Sequence, residues 1–177
     1  MAGRPSYHAG RRDMQDPFDG MEVAEALEKH RIRHDFWDAD RALIESTPFF
    51  CIATSFDAFT DCSLKSGVPG FVKIVGPGTI EYPEYDGNSM YRTLGNIARN
   101  PNVGLLFVKF DGATLRVRAS GRAVILDDAA ALSRPHGTKL LVRIVCYPPS
   151  NRSPSVHNLT TGERSHHIPP PGYAQTR

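Results

Sequence analysis

The sequence predicts a mainly β fold of the α+β class, with six antiparallel strands in a closed or nearly closed barrel and short helices at its flanks. Three observations carry that expectation. Six apolar or alternating segments of strand length follow one another after residue 48. Tight-turn signals, Gly-Pro-Gly at 76–78 and Asp-Gly at 111–112, separate neighbouring segments. Helical periodicity is confined to short stretches ahead of the strands and between the third and the fourth. With strands joined by short turns, closure is the arrangement that leaves no long edge open.

Taken in order, residues 1–20 are rich in Gly, Pro, Arg and Asp and are expected to lack order. Residues 21–33 read as a helix with Val23, Ala26, Leu27 and His30 on one side. Residues 38–46 read as a second, with Ala42 and Leu43 facing inward, and Pro48 ends it. Strands are expected at 49–55, 71–75, 79–82, 103–110, 114–126 and 139–147. In the fifth, Leu115, Val117 and Ala119 alternate with Arg116, Arg118 and Ser120, so one side is apolar and the other polar. Between the third and fourth strands the chain reads DGNSMYRTLGNIARN, residues 86–100. Met90, Leu94, Ile97 and Ala98 make one apolar stripe on a helix of about three turns. Asn88 or Ser89 stands where an N-cap belongs, and Pro101 closes the segment. The first N–H groups of such a helix lack internal partners and carry the positive end of its dipole, so the corner at 87–89 suits a phosphate. An ordinary capped helix accounts for the same residues.

A chain of 177 residues with 40% hydrophobic and 23% charged residues fits one compact domain. It is placed at 21–150, followed by an extended tail at 151–177 that packs on the barrel or on a partner. A net charge of +2 is too small to argue for nucleic acid or a membrane, and the Arg4, Arg11, Arg12 and Lys29, Arg31, Arg33 groups read as solvated surface. The N-terminal segment has no apolar signal core and no 18-residue apolar run exists, so the cytoplasm is the expected location. Cys51, Cys62 and Cys146 are odd in number and widely spaced, which suggests reduced thiols rather than disulfides or zinc. His30 and His34 have helical spacing but no intervening glutamate, so no metal is expected there. GxSxG, GK[ST] and GxGxxG are absent, which argues against serine hydrolases, P-loop NTPases and Rossmann enzymes.

Several motifs occur in one order: Ala53-Thr54, the loop at 61–71 (DCSLKSGVPGF), the corner at 83–88 (PEYDGN), Leu94-Gly95-Asn96-Ile97 and Gly104-Leu105-Leu106-Phe107. Over roughly residues 35–172 the chain resembles the pyridoxamine 5'-phosphate oxidase-like family of FMN-binding split barrels, in its flavin-nucleotide-binding branch. That resemblance implies a six-stranded split barrel, a bound FMN, a homodimer with the flavin slot between subunits, and oxidoreductase chemistry on a small substrate, with NADH or NADPH as a reductant. It also leaves open a non-catalytic flavin-binding or storage module, and a deazaflavin in place of FMN.

FMN needs cations or oriented donors for its phosphate and polar groups for its ribityl hydroxyls. Ser63 and Lys65 on the loop after the first strand, Lys73 on the second strand, and Asn88, Ser89 and Arg92 at the helix entrance are the candidates. By the resemblance, Ser63, Lys65, Lys73 and Asn88 line the flavin site. Arg116, with Arg118, is a further candidate from the polar side of its strand. Phe71, Tyr82, Tyr85 and Tyr91 are candidates to wall the ring, with core or interface packing as the commoner role. Flavin carries its own redox chemistry, so no catalytic residue is assigned. The chain departs from the family at 151–157, NRSPSVH, where relatives carry an arginine and a tyrosine. The basic pocket of pyridoxamine phosphate oxidation is not visible in the tail, so the resemblance is not extended to that reaction.

Overall fold

The computed structural model describes residues 7–18, 20–31, 35–85, 89–110, 115–128 and 138–154, of which 27–31 and 148–154 are described by backbone alone. Among them, four helices accompany seven strands: α1 (Ala9–Gln15), α2 (Met21–Arg31), α3 (Asp38–Ser46), β1 (Phe49–Phe56), β2 (Phe59–Ser66), β3 (Lys73–Gly76), β4 (Thr79–Glu84), α4 (Arg92–Arg99), β5 (Asn102–Val108), β6 (Leu115–Leu126) and β7 (Leu140–Pro154). A short 3-10 turn spans Asp16–Phe18. The segment before residue 20, expected without order, thus carries α1, which buries none of its residues. Helix α3 occupies its expected bounds and buries Leu43 and Ile44. Its last turn closes where the Thr47 N–H and hydroxyl both donate to the Leu43 carbonyl.

The seven strands form one antiparallel sheet in the order β2-β1-β5-β6-β7-β4-β3. The strand missing from the sequence reading is β2. It returns from β1 through a tight turn at Asp57, held at φ 53°, and pairs Phe56 with Phe59 through to Phe49 with Ser66. Ser63 and Lys65 therefore lie on a strand, not on a loop. The reason for the miss is chemical: β2 turns Asp61, Ser63 and Lys65 toward the interior and leaves Cys62 and Leu64 exposed, the reverse of ordinary binary patterning.

The other strands follow the usual rule. Phe50 and Ile52 on β1, Ile80 and Tyr82 on β4, Phe107 on β5, Val117 on β6 and Val142 and Ile144 on β7 are fully or almost fully buried. Phe50 is the centre of this core: its ring stacks on Phe107 at 5.1 Å and Phe71 at 5.9 Å and meets Tyr82 edge-on at 5.0 Å. The contact with Tyr82 spans from β1 to β4, which are far apart in the sheet order, so the sheet is rolled on itself as a split barrel. Its two end regions meet through side chains, not through a strand ladder.

On the far wall, β6 and β7 shift register between Arg118 and Ser120, the local kink of a bulge. Beside it, Gly121 faces Cys146, and a Cβ there would lie 2.5 Å from the Val145 carbonyl oxygen and 2.9 Å from the Cys146 Cα. Only glycine allows the two backbones this approach. Strand β7 continues to Pro154, beyond the expected end at 147, so the first residues assigned to the tail belong to the sheet. The remainder of the tail, from 155 on, lies outside the described residues.

At the front of the molecule, Asp35 ties α3 to the β3–β4 turn. Its carboxylate accepts from the N–H groups of Phe36 at 2.8 Å and Gly78 at 3.3 Å and from Arg41 at 2.6 Å. Partial burial pushes its pKa up, but these bonds and the Arg41 charge outweigh that and hold it below the ordinary carboxylate value.

Candidate functional site

Helix α4 covers one end of the barrel and brings the expected helix entrance to the polar side of β2. The entrance differs from the N-cap reading. Helix α4 starts at Arg92, and the residue before it, Tyr91, is in the left-handed region at φ 46° with no side-chain cap. Ser89 is also left-handed, at φ 58°, and it is exposed. Asn88 and Gly87 lie outside the described residues. The buried face consists of Thr93, Leu94 and Ile97, while Met90 and Ala98 face solvent, so the stripe is rotated toward Thr93.

That rotation has a cause on β2. The Asp61 carboxylate accepts from the Ser63 hydroxyl at 2.6 Å, and Thr93 Oγ1 stands 3.0 Å from both Asp61 Oδ2 and Ser63 Oγ. Arg92 Nε lies 3.4 Å from the other carboxylate oxygen. Asp61 is 6% exposed, whereas Arg92 is 62% exposed. Burial pushes the Asp61 carboxyl up, but the bonds from Ser63 and Thr93 and the charges of Arg92 and Lys65 outweigh it and lower its pKa. Farther along α4, Asn96 donates to Thr54 Oγ1 at 3.1 Å and Asn100 to the Ser55 carbonyl at 2.8 Å, so the helix is fixed to both β1 and β2.

One step along the same side of β2, Lys65 Nζ meets Glu84 Oε1 at 2.5 Å, and both side chains are only 16% exposed. This ion pair joins β2 to β4 across the split in the barrel. Its second carboxylate oxygen, Glu84 Oε2, is buried and has no hydrogen-bond partner among the described residues, and neither does the hydroxyl of Tyr82, two residues back on β4. Burial, then the negative charge of Glu84, push the Tyr82 hydroxyl well above its ordinary pKa. It is a proton donor at every physiological pH. Each buried polar atom left without a partner costs roughly 1–3 kcal/mol.

The structure thus gathers Ser63, Lys65 and Arg92 into one seam between β2, β4 and α4, while Ser89 is exposed three residues ahead of Arg92. Two residues that the sequence reading missed, Asp61 and Glu84, organise it. The missed signal was the spacing Asp61, Ser63, Lys65, which has the period of two that places all three on one face of a strand. Lys73 lies elsewhere, exposed on β3 opposite Glu81. Arg116 lies on the outer face of β6 beside Val108 of β5, where partial burial and then the neighbouring Arg118 lower its pKa. Of the aromatic candidates, Phe71 and Tyr82 belong to the core, and Tyr85 and Tyr91 are exposed near the seam's entrance. All three cysteines are free thiols, and no group of three metal-ligating side chains occurs among the described residues. Nor is any described helix long and apolar enough to cross a membrane.

The residues present fit a flavin nucleotide. The exposed guanidinium of Arg92 suits a phosphate. The unpartnered Glu84 oxygen suits a hydroxyl group, and Tyr85 and Tyr91 offer ring faces. Lys65 brings no net charge to such a site, because Glu84 holds it.

Residues 36–159 match the family model described as pyridoxamine 5'-phosphate oxidase. No curated protein matches the chain. Among solved structures, a variant of HupZ from Group A Streptococcus is 18% identical, with 66% of this chain and 98% of that one covered at a TM-score of 0.51. A conserved hypothetical protein of Mycobacterium tuberculosis is 16% identical over 81% of this chain and 97% of its own, with a TM-score of 0.50. A FAD-binding protein of Mesorhizobium loti is 13% identical over 68% and 96%, also at 0.50. At these identities the likeness is one of fold.

Proposed function

The chain belongs to the pyridoxamine 5'-phosphate oxidase family, and from that membership we propose that it is an FMN-binding oxidoreductase that works as a homodimer. The observation that carries the reading is the coincidence of a family match spanning the whole barrel with a seam whose polar atoms lack partners. Flavin, when bound, supplies the two-electron chemistry itself. The chain's residues would bind and orient it: Arg92 would hold the phosphate and Glu84 the polar chain, while Asp61 fixes the helix that carries Arg92. The substrate in this reading is a small molecule.

The outer face of β1, β2 and β5 supports the dimer. It presents Leu64, 61% exposed, and Phe110, 47% exposed, beside Cys51, Leu106 and Val108, an apolar patch that a second copy would cover. Protein purified without added cofactor is expected to be yellow and to release a compound of the mass of FMN. A deazaflavin mass would replace the cofactor, and a colourless protein that takes up no flavin would defeat the reading. Stopped-flow reduction by NADH or NADPH tests the redox role, and a rate no faster than free FMN would leave a flavin-holding module. Sedimentation is expected to give a dimer at micromolar concentration.

A further inference from the structure

We propose that Cys51 and Cys62 form a two-thiolate site for a soft monovalent cation, copper(I), on the outer face of the β1–β2 hairpin. The inference is independent of the flavin reading and uses residues outside the seam.

Register and pleat place the two thiols together. Cys51 pairs with Leu64 and Ala53 with Cys62, so the cysteines are diagonal neighbours on adjacent strands. Phe50 and Ile52 turn into the core and Asp61 and Ser63 into the seam, so both cysteines face outward, Cys62 exposed and Cys51 half-buried. Burial, and then the charge of Cys62, raise the pKa of Cys51, so each sulfur lies within the other's field.

The spacing selects among the things that two thiols do. Diagonal neighbours have Cα atoms about 7–8 Å apart, whereas a disulfide usually holds them within about 6.8 Å. An ion gripped in line by two thiolates at about 2.3 Å each sets the sulfurs roughly 4.6 Å apart, more than twice the length of an S–S bond. The surroundings then select the ion. The neighbouring outward residues on β1, β2 and β5 are Ala53, Leu64, Gly104 and Leu106, which add no nitrogen, carboxylate or further sulfur. Zinc takes four ligands and hard cations take oxygens, so neither is satisfied there. Copper(I) is a soft ion that thiolates select and that two of them in line suffice to hold. The step is an exchange without oxidation: two S–H bonds break, two Cu–S bonds form and two protons leave to solvent. The bound cation also cancels the repulsion between the thiolates.

The test is an anaerobic titration of the reduced full chain with copper(I) against bicinchoninate as a competing chelator, followed by X-ray absorption of the loaded protein. Wild type and Cys146→Ser are each expected to withhold one copper per chain, with two sulfur neighbours, and Cys51→Ser and Cys62→Ser to lose it. Cys62 is exposed, so Cys62→Ser carries the comparison if Cys51→Ser does not fold. Copper held by Cys51→Ser and Cys62→Ser as tightly as by wild type, or surrendered by wild type to the chelator, overturns the site. One copper per two chains would put the ligands on different copies and overturns it as well. So does a Cys51–Cys62 disulfide that forms with diamide in a chain retaining no copper, since the pair is then a redox couple.

Discussion

Replacing Asp61 by alanine tests whether one buried carboxylate holds α4 to the barrel. The structure sets the magnitude. Asp61 accepts hydrogen bonds from Ser63 and Thr93, and bonds to an ionised acceptor contribute roughly 1.5 kcal/mol each at the lower end. The Arg92 contact at 3.4 Å adds little, since that guanidinium is mostly in water. Ser63 and Thr93 stand 3.0 Å apart, so once Asp61 is gone one hydroxyl is free to donate to the other, which returns part of the loss. Asp61→Ala is therefore expected to cost about 2–3 kcal/mol, and Asp61→Asn, which keeps an acceptor but not the charge, about half of that. In urea, with a slope near 2 kcal/mol per molar, the alanine midpoint falls by roughly 1–1.5 M at pH 7 with the slope unchanged. The pH dependence has a definite sign. A carboxylate whose folded pKa is lowered contributes stability that is complete above its unfolded value, about 3.9, and is lost as pH falls through the lower folded value. The gap between wild type and Asp61→Asn must therefore narrow below about pH 5. A midpoint within about 0.3 M of wild type, or a gap constant down to about pH 2, would refute the assignment of Asp61 as the anchor of α4.

Gly121→Ala drives a Cβ into the backbone of β7 and is expected to cost roughly 3 kcal/mol, lowering the melting temperature by about 6–12 °C. The control, Gly95→Ala on α4, meets nothing within 4 Å and should stabilise by roughly 0.5–1 kcal/mol. Phe50→Ala, which empties the centre of the aromatic cluster, should cost roughly 3–5 kcal/mol in the same melts. Burial pushes the Cys146 thiol up to about 12, so at pH 8 a thiol reagent such as Ellman's should label exposed Cys62 first and half-buried Cys146 far more slowly. Equal labelling rates would contradict that placement of Cys146.

Alternation of apolar and polar residues suffices to find a strand whose inner side meets a hydrocarbon core, which is why β1, β5 and β6 are readable from sequence almost to the residue. It fails for β2, whose inner side meets a helix entrance and a glutamate, so that polar residues face in and Leu64 faces out. The candidate site shares that limit. Ser63, Lys65 and Arg92 carry the residue types that a phosphate needs, and a sequence displays those types without the acids that stand opposite them. That Glu84 holds Lys65, and Asp61 orients Arg92, depends on β2 and β4 meeting across the split, a tertiary fact with no local periodicity. The start of α4 departs from its expected place for a related reason. Ser89 is a good cap by type, but the left-handed backbone at Ser89 and Tyr91 delays the first helical turn to Arg92.

The sheet order also bears on how the chain is made. Strand β4 pairs with β7, Tyr82 opposite Val142, and β7 is the last strand to be synthesised among those described. Until it emerges, the β3–β4 hairpin waits beside the growing chain with β4 lacking its neighbour, a bare edge of the kind that recruits other nascent strands. Pro83, on that strand, offers no N–H to a stray partner and interrupts a foreign ladder. A chain ending before Leu140 would keep this edge for good and leave β6 without its second neighbour as well, so truncation there yields an aggregating product and not a smaller barrel.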